Sequence, residues 1–160
     1  MDPTSPAPLR VMDFTLAEDF GEGQVLLIDK PLHWTSFDVV NKLRGAIRGA
    51  LGYRKLKVGH AGTLDPLASG VLVVCTGKST KRIAELQAQD KEYRAIIRLG
   101  ATTACLDAEL PVEAWVDASE LTLESIQTAS KDWSGEYFQM PPAYSAKKVD
   151  GQKAYAIARK

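Results

Sequence analysis

The segment over residues 59–75, GHAGTLDPLASGVLVVC, holds the most informative pattern in the chain. Its first twelve residues contain three glycines, one histidine, one aspartate and one proline, and its last five form an apolar run. Glycine lets a backbone come close to a ligand, and Pro66 stiffens the backbone next to Asp65. A short apolar run is typical of a buried strand or of the start of a packed helix. The segment therefore predicts a constrained loop that presents Asp65, followed by an element of the core.

The chemistry of these residues alone leaves two interpretations open. Asp65 is either a reactive carboxylate or the first residue of an Asx turn, in which it bonds its own backbone. His60 is either a ligand-contacting imidazole or an ordinary surface histidine. Tyr93 begins an alternating segment, where an aromatic residue is by default part of the core or its rim.

Periodicity and end signals predict the remaining elements. Thr35 and Asp38 resemble a capping box, which marks the start of a helix. The apolar residues that follow recur at helical spacing and predict a helix over 36–51. The inward residues of that helix are expected to be Phe37, Val40, Leu43, Ile47 and Leu51. The other predictions are strands over 25–28, 55–58, 92–99, 113–116 and 144–149, a turn at Asp150-Gly151, a helix over 80–89 capped by Ser79, and a helix over 120–131.

These elements indicate an α+β fold with a mixed, mainly antiparallel sheet flanked by helices. Residues 1–23 are expected to form a loose, Pro-rich and acidic N-terminal arm, and residues 24–160 a single folded domain. Apolar residues make up 45% of the chain and charged residues 25%, which excludes a wholly disordered protein. No apolar run approaches the length of a membrane span. Residues 1–14 contain no apolar core of secretory length, so we do not expect export. Cys75 and Cys105 match no metal spacing. We therefore expect a cytoplasmic protein without a metal site.

The formal net charge is zero, but the charges are unevenly distributed. Residues 30–82 carry a net charge of +8, whereas residues 83–136 carry −7. A local positive surface suffices for phosphate binding, because electrostatic attraction acts over about a Debye length, roughly 8–10 Å. The basic block is thus either an RNA-binding surface or a solvated helix face. Its candidate phosphate contacts are Lys30, Arg54, Lys55 and Lys57.

Four segments in order resemble the TruB family, the bacterial tRNA pseudouridine-55 synthases. GHAGTLDPLASGVLVVCTGKSTK (59–81) is similar to the family's signature, in which a Gly-x-Leu-Asp-Pro-Leu-Ala-x-Gly loop carries the catalytic aspartate. The other three are LLIDKPLHWTSFDVVNKLR (26–44), DKEYRAIIRLGATT (90–103) and QMPPAYSAKKVDGQKAYAIARK (139–160).

This resemblance implies a pseudouridine synthase-like catalytic domain that isomerises the T-loop uridine of tRNA at position 55. It implies that Asp65 is the catalytic nucleophile, that His60 contacts the substrate loop and that Tyr93 stacks on the target uracil. Isomerising a uridine requires no redox cofactor and no metal, so none is expected. The expected partner is the T-arm of tRNA, with no membrane and no obligatory protein partner.

Two departures from the family pattern bear on activity. Ala104 and Leu110 stand where the family has an acidic residue and a glycine. The family also continues past the segment that resembles 139–160. The chain is therefore expected to be the N-terminal part of a catalytic domain, incomplete at its C-terminus, with little or no activity alone. The alternatives are a non-catalytic tRNA-binding or RNA-folding protein and, less well matched, a relative that works with guide RNA.

Overall fold

The computed structural model describes residues 19–136, residue 138, and the backbone of residues 148–149 and 152–153. The chain divides into two compact units, residues 1–93 and 94–160. The elements of the first unit are β1 Val25–Lys30, α1 Ser36–Leu51, β2 Val58–His60, β3 Gly70–Thr76, a 3-10 helix Gly77–Arg82 and α2 Ile83–Gln87. Those of the second are β4 Ala101–Thr102, β5 Ala114–Trp115, α3 Leu123–Lys131, β6 Lys148–Val149 and β7 Gln152–Lys153. Helices and small antiparallel sheets make this an α+β protein, as predicted.

The first unit contains a three-stranded sheet in the order β1-β3-β2, with β3 antiparallel to both neighbours. The apolar run after the Gly-rich loop is therefore a central strand. Lys30 at the end of β1 pairs with Gly70 at the start of β3, and His60 at the end of β2 pairs with Val74. Because β1 and β2 run in the same direction, the connections that follow them, residues 31–35 and 61–69, leave toward the same end of the sheet.

Helix α1 has the predicted bounds and the predicted capping box. The Thr35 side chain accepts a hydrogen bond from the Asp38 amide at 3.1 Å, and the Asp38 carboxylate accepts from the Thr35 amide at 2.9 Å. One prediction about its inward face is wrong, because Phe37 is 61% exposed and Val39 is buried. Each residue of an α-helix is turned by about 100° from the one before it. This rotation places Phe37 at the edge of the buried stripe and not within it.

Two groups of buried side chains form the core of this unit. Val39 and Leu43 of α1 pack with Leu72 and Val74 of β3. The second group contains Phe20, Ile47 and Leu56. The helix therefore covers the sheet with the apolar stripe that its sequence spacing predicts.

The end of the predicted loose arm is packed. Phe20 is fully buried, and a turn around it is held by the Asp19 carboxylate, which accepts hydrogen bonds from the amides of Gly21 and Glu22 and from the Tyr53 hydroxyl. Residues 19–22, at the end of the predicted arm, are thus tied to the core by a buried aromatic ring. Residues 1–18 of the predicted arm lie outside the described residues.

Two further boundaries differ from prediction. The strand predicted over 55–58 begins at Val58 and continues to His60, because Gly59 and His60 pair with β3 rather than opening the loop. The helix predicted over 80–89 is a 3-10 helix followed by the short α2, and Ser79 does not cap it. Ile83 still faces inward, since a Cβ built on Gly59 would meet its Cδ1 at 2.8 Å.

The largest correction concerns the segment at the boundary of the two units in sequence. Residues 92–99 form no strand in the described structure, and Tyr93, Ile96 and Ile97 are exposed. An alternating pattern defines two faces, but a strand also requires a neighbour for its backbone hydrogen bonds, and no described strand pairs with this segment.

The later elements of the second unit agree more closely with prediction. The strand predicted over 113–116 is β5, which pairs with β4. The last helix begins at Leu123, with Thr122 as its cap, and ends at Lys131 as predicted. Of the strand predicted over 144–149, only Lys148–Val149 is described, and it pairs with β7. Residues 144–147 and the predicted turn residues Asp150 and Gly151 lie outside the described residues. No helix in the described part of the chain is long and apolar enough to cross a membrane.

Candidate active site

The loop between β2 and β3 presents Asp65 to solvent. The Ala68 amide donates to the Asp65 carbonyl oxygen at 3.0 Å, which closes a turn with Pro66 at the position where its fixed φ fits best. The Asp65 side chain is exposed. Within residues 19–136 its carboxylate accepts no hydrogen bond, so the turn is made by the backbone alone and not by the Asx arrangement. The carboxylate is therefore available to a ligand.

Two contacts tie this loop to the connection between β1 and α1. The Leu64 amide donates to the Ser36 hydroxyl at 2.9 Å, and that hydroxyl donates to the Leu64 carbonyl oxygen at 3.2 Å. The His33 amide donates to the Pro66 carbonyl oxygen at 2.7 Å. The backbone groups on either side of Asp65 are thus both held, those of Leu64 by a side-chain hydroxyl and that of Pro66 by a backbone amide. Sequence reasoning missed Ser36 and His33, although the segment that contains them lies in one of the family-like stretches.

Lys30 is fully buried at the same end of the sheet. Its ammonium donates to the carbonyl oxygens of Pro31 at 3.0 Å and Trp34 at 2.6 Å, which fixes the connection after β1. Burial lowers the pKa of Lys30, and the nearby carboxylates of Asp65 and Asp38 oppose this shift by charge attraction. The prediction that Lys30 contacts phosphate is not supported by this geometry, because the side chain has no exposed surface in the described structure. Its charge instead attracts the Asp65 carboxylate.

His60 lies at the end of β2, directly before the loop, and is half-buried. Its Nδ1 contacts the carbonyl oxygen of Gly62. Because a carbonyl oxygen only accepts, Nδ1 carries a proton there, and in the neutral ring Nε2 remains an acceptor. His60 and Asp65 thus belong to one loop, with the His60 ring oriented by that loop's own backbone.

Tyr93 is 67% exposed, and no strand holds it. The segment that leads to it passes the Gly-rich loop, since a Cβ on Gly62 would lie 3.9 Å from Lys91 Cε. The Lys91 ammonium is bonded to the carbonyl oxygens of Gln87 and Gln89, both at 2.6 Å. The structure therefore brings the chain near the loop two residues before Tyr93, and none of the hydrogen bonds among the described residues joins Tyr93 to Asp65.

The other three basic candidates precede β2. Arg54, Lys55 and Lys57 are exposed, and Leu56 among them is buried in the second core group. Leu56 anchors the segment, so the three basic side chains point to solvent at the end of β2 that is farther from the Gly-rich loop. Among the described residues, no cluster of three His, Cys, Asp or Glu side chains could hold a metal ion.

Comparison with known proteins agrees with the resemblance of the motifs. Residues 48–160 match the TruB family pseudouridylate synthases, in their N-terminal domain. A tRNA pseudouridine synthase B of Phocaeicola vulgatus is 54% identical over 142 residues, which cover 89% of this chain and 60% of that protein. Proteins of the same name from Bacteroides fragilis and Chlorobium luteolum are 53% and 50% identical, over 89% and 86% of this chain.

The family match spans more than half of the sequence, including the Gly-rich loop. The chain belongs to the TruB family of pseudouridylate synthases. It spans about 60% of the length of the Phocaeicola and Bacteroides relatives, and 47% of the Chlorobium relative.

Proposed function

We propose that this protein is a tRNA pseudouridine synthase that isomerises the T-loop uridine at position 55, with Asp65 as its catalytic nucleophile. The observation that carries the proposal is the state of Asp65. Its carboxylate is exposed and accepts no hydrogen bond from residues 19–136, while both of its neighbours are anchored. The relatives named tRNA pseudouridine synthase B support the substrate class.

The reaction is an isomerisation, so every heavy atom of the uridine and its overall composition are retained. The bond between N1 of the base and C1′ of the ribose breaks, the base turns, a bond forms between C5 and C1′, and the proton on C5 leaves while N1 gains one. A carboxylate serves this chemistry by covalent attack on C1′ or on the uracil ring, or by stabilising positive charge at the sugar. Each of these roles needs a carboxylate oxygen that is not already hydrogen-bonded to the protein, and the Asp65 carboxylate accepts no hydrogen bond from residues 19–136.

The substrate uridine must leave its folded loop to reach Asp65. Enzymes that act on a base offset the free-energy cost of unstacking with new contacts to that base. Stacking on an aromatic side chain contributes about 1–3 kcal/mol per base. We propose Tyr93 as this stacking face, since its exposed ring is free to meet a base. We propose His60 as a contact to the RNA loop, since its Nδ1 is occupied by Gly62 and its Nε2 is the remaining polar atom of the ring.

The test is Asp65→Asn in the purified full-length protein, assayed on a T-arm transcript. We expect turnover to fall by roughly 10³-fold or more, the scale of loss when a catalytic group is removed, with RNA affinity near that of the wild type. Asp29→Asn is the matched control, because Asp29 is an exposed carboxylate on β1 one residue before Lys30. It removes the same charge from the same end of the sheet and should leave turnover unchanged.

Two results would contradict the proposal. Substantial turnover by Asp65→Asn would remove Asp65 from the chemistry. Tight binding of the T-arm by a wild-type protein that never forms pseudouridine would instead identify a non-catalytic tRNA-binding member of the family.

A further inference from the structure

We infer that Ser36 is a positioning residue for Asp65, an inference that rests on the proposed function. Ser36 is the first residue of α1, and only 2% of its surface is exposed. Its hydroxyl accepts from the Leu64 amide at 2.9 Å and donates to the Leu64 carbonyl oxygen at 3.2 Å. One side chain thus satisfies both backbone groups of the residue directly before Asp65, across 28 positions of sequence.

The Ser36 hydroxyl does not cap its own helix. Thr35 supplies the helix cap, because its side chain accepts from the Asp38 amide at 3.1 Å. A hydroxyl offers one donor and two acceptor positions, and Ser36 uses them on a loop residue whose backbone groups have no partner in a strand. Burial makes those bonds costly to lose, since unpaired buried backbone groups are rarely tolerated.

The consequence for Asp65 follows from its free carboxylate. With no hydrogen bond from residues 19–136 to orient it, the carboxylate is placed by its backbone. That backbone is held on one side by Ser36 through Leu64, and on the other by the His33 amide through Pro66 at 2.7 Å. A displacement of about 1 Å at a reacting group can lower a rate by roughly 10²-fold. Loss of the Ser36 hydroxyl therefore loosens one of the two anchors of the nucleophile.

The experiment compares Ser36→Ala with Thr35→Ala in the full-length protein. The two residues are adjacent at the start of α1, but Thr35→Ala removes the helix cap and only Ser36→Ala removes the bonds to Leu64. We expect Ser36→Ala to lower kcat by about 10- to 100-fold, with KM within twofold of the wild type because the buried hydroxyl does not touch RNA. Thr35→Ala should keep kcat within about threefold. Ser36→Thr, which retains the hydroxyl, should recover most of the lost kcat.

Amide hydrogen exchange provides a second measurement that does not depend on turnover. Exchange at Leu64 should accelerate in Ser36→Ala and not in Thr35→Ala, while exchange at Asp38 should show the reverse. If Ser36→Ala does not fold, Ser36→Cys occupies a similar volume with a much weaker hydrogen-bonding group and should show the same loss of kcat.

The inference is overturned if an active enzyme keeps its kcat in Ser36→Ala and Ser36→Cys, or if Thr35→Ala loses as much. A purely structural role would produce that second pattern. These results differ from failure of the proposed function, in which the wild type and Asp29→Asn form no pseudouridine. In that case the reaction is absent, so Ser36 has no catalytic positioning role, whatever the rate of amide exchange at Leu64.

Discussion

His33 occupies a backbone conformation that favours glycine, with φ at +65°. The left-handed conformation costs an ordinary residue roughly 1–2 kcal/mol, and glycine avoids this cost but loses about 0.5–1 kcal/mol in chain entropy. We expect His33→Gly to stabilise the protein by about 0.5–1 kcal/mol, measured as the free energy of unfolding in urea. The exposed side chain has no packing to lose that would offset this gain.

His33→Ala is the matched control for that measurement. Alanine keeps the Cβ atom that causes the strain, so this variant should gain no stability. Equal stabilisation by glycine and alanine would show that the imidazole itself, and not the backbone conformation, is unfavourable at this position.

Asp19 should make the free energy of unfolding depend on pH in the acid range. The Tyr53 hydroxyl, and then the amides of Glu22 and Gly21, bond its carboxylate and hold the pKa of Asp19 below its ordinary value of 3.8. A carboxyl whose pKa is lower in the folded state stabilises the protein above its unfolded pKa, and this stabilisation is lost as the pH falls through the folded value. The difference in unfolding free energy between wild type and Asp19→Asn should therefore be largest near neutral pH and shrink below about pH 3.8.

Tyr53→Phe tests the cause of that dependence. It removes the strongest partner of the Asp19 carboxylate, so it should flatten the acid limb of the stability profile in the same direction. An acid limb unchanged by both substitutions would assign the pH dependence to other groups.

Residue chemistry predicted the position of Asp65 but not its surroundings. Glycine and proline determine local backbone geometry, so a loop that presents Asp65 could be read from the sequence. The burial of Lys30 could not, because it depends on the carbonyl oxygens of Pro31 and Trp34 meeting the ammonium in the folded structure. The sequence alone groups Lys30 with the exposed basic residues.

At the scale of elements, the turn over residues 19–23 is joined to the start of the 3-10 helix at Gly77. A Cβ atom on Gly77 would lie 2.1 Å from the Gly21 carbonyl oxygen and 2.4 Å from that of Phe20, and φ there is +50°. We expect Gly77→Ala to cost at least about 3 kcal/mol of unfolding free energy, because backbone strain and a clash with backbone atoms add together.

Gly52 separates the two causes. It ends α1 with φ at +70°, and a Cβ atom there would meet nothing within 4 Å. Gly52→Ala should cost only about 1 kcal/mol, the strain of the left-handed conformation. Equal losses for the two alanine variants would mean that residues 19–23 move away from Gly77 without cost, as the predicted loose arm would.

Elements with local end signals were predicted better than elements that depend on distant partners. Thr35 and Asp38 lie three residues apart, so their capping box and the start of α1 are visible in the sequence. The alternation over residues 92–99 is equally clear, but a strand forms only beside another strand. The prediction failed there because sequence alternation carries no information about the partner.

At the scale of the whole molecule, a net charge of zero conceals an uneven distribution of charge along the sequence. The zero total combines a basic region over residues 30–82 with acidic regions on both sides of it in sequence. Of the basic candidates, the buried Lys30 serves the interior and Arg54, Lys55 and Lys57 face solvent. Charge counting identifies the basic region in the sequence, but only the fold separates the buried Lys30 from the surface residues.

The exposed basic residues before β2 should contribute to RNA binding through phosphate contacts. Each phosphate contact releases counterions, so binding weakens as salt is added. In a plot of the logarithm of the binding constant against the logarithm of salt concentration, each contact adds about 0.7–0.9 to the steepness of the slope. Replacing Arg54, Lys55 and Lys57 together by alanine should therefore weaken T-arm binding and lower the slope by about 2–3.

The control replaces Lys78, Arg82 and Lys131, which are also exposed. It removes the same total charge, so it should change the slope little if contacts, and not net charge, determine binding. Equal slopes for the two triple variants would show that the segment before β2 is a solvated surface with no phosphate contacts of its own.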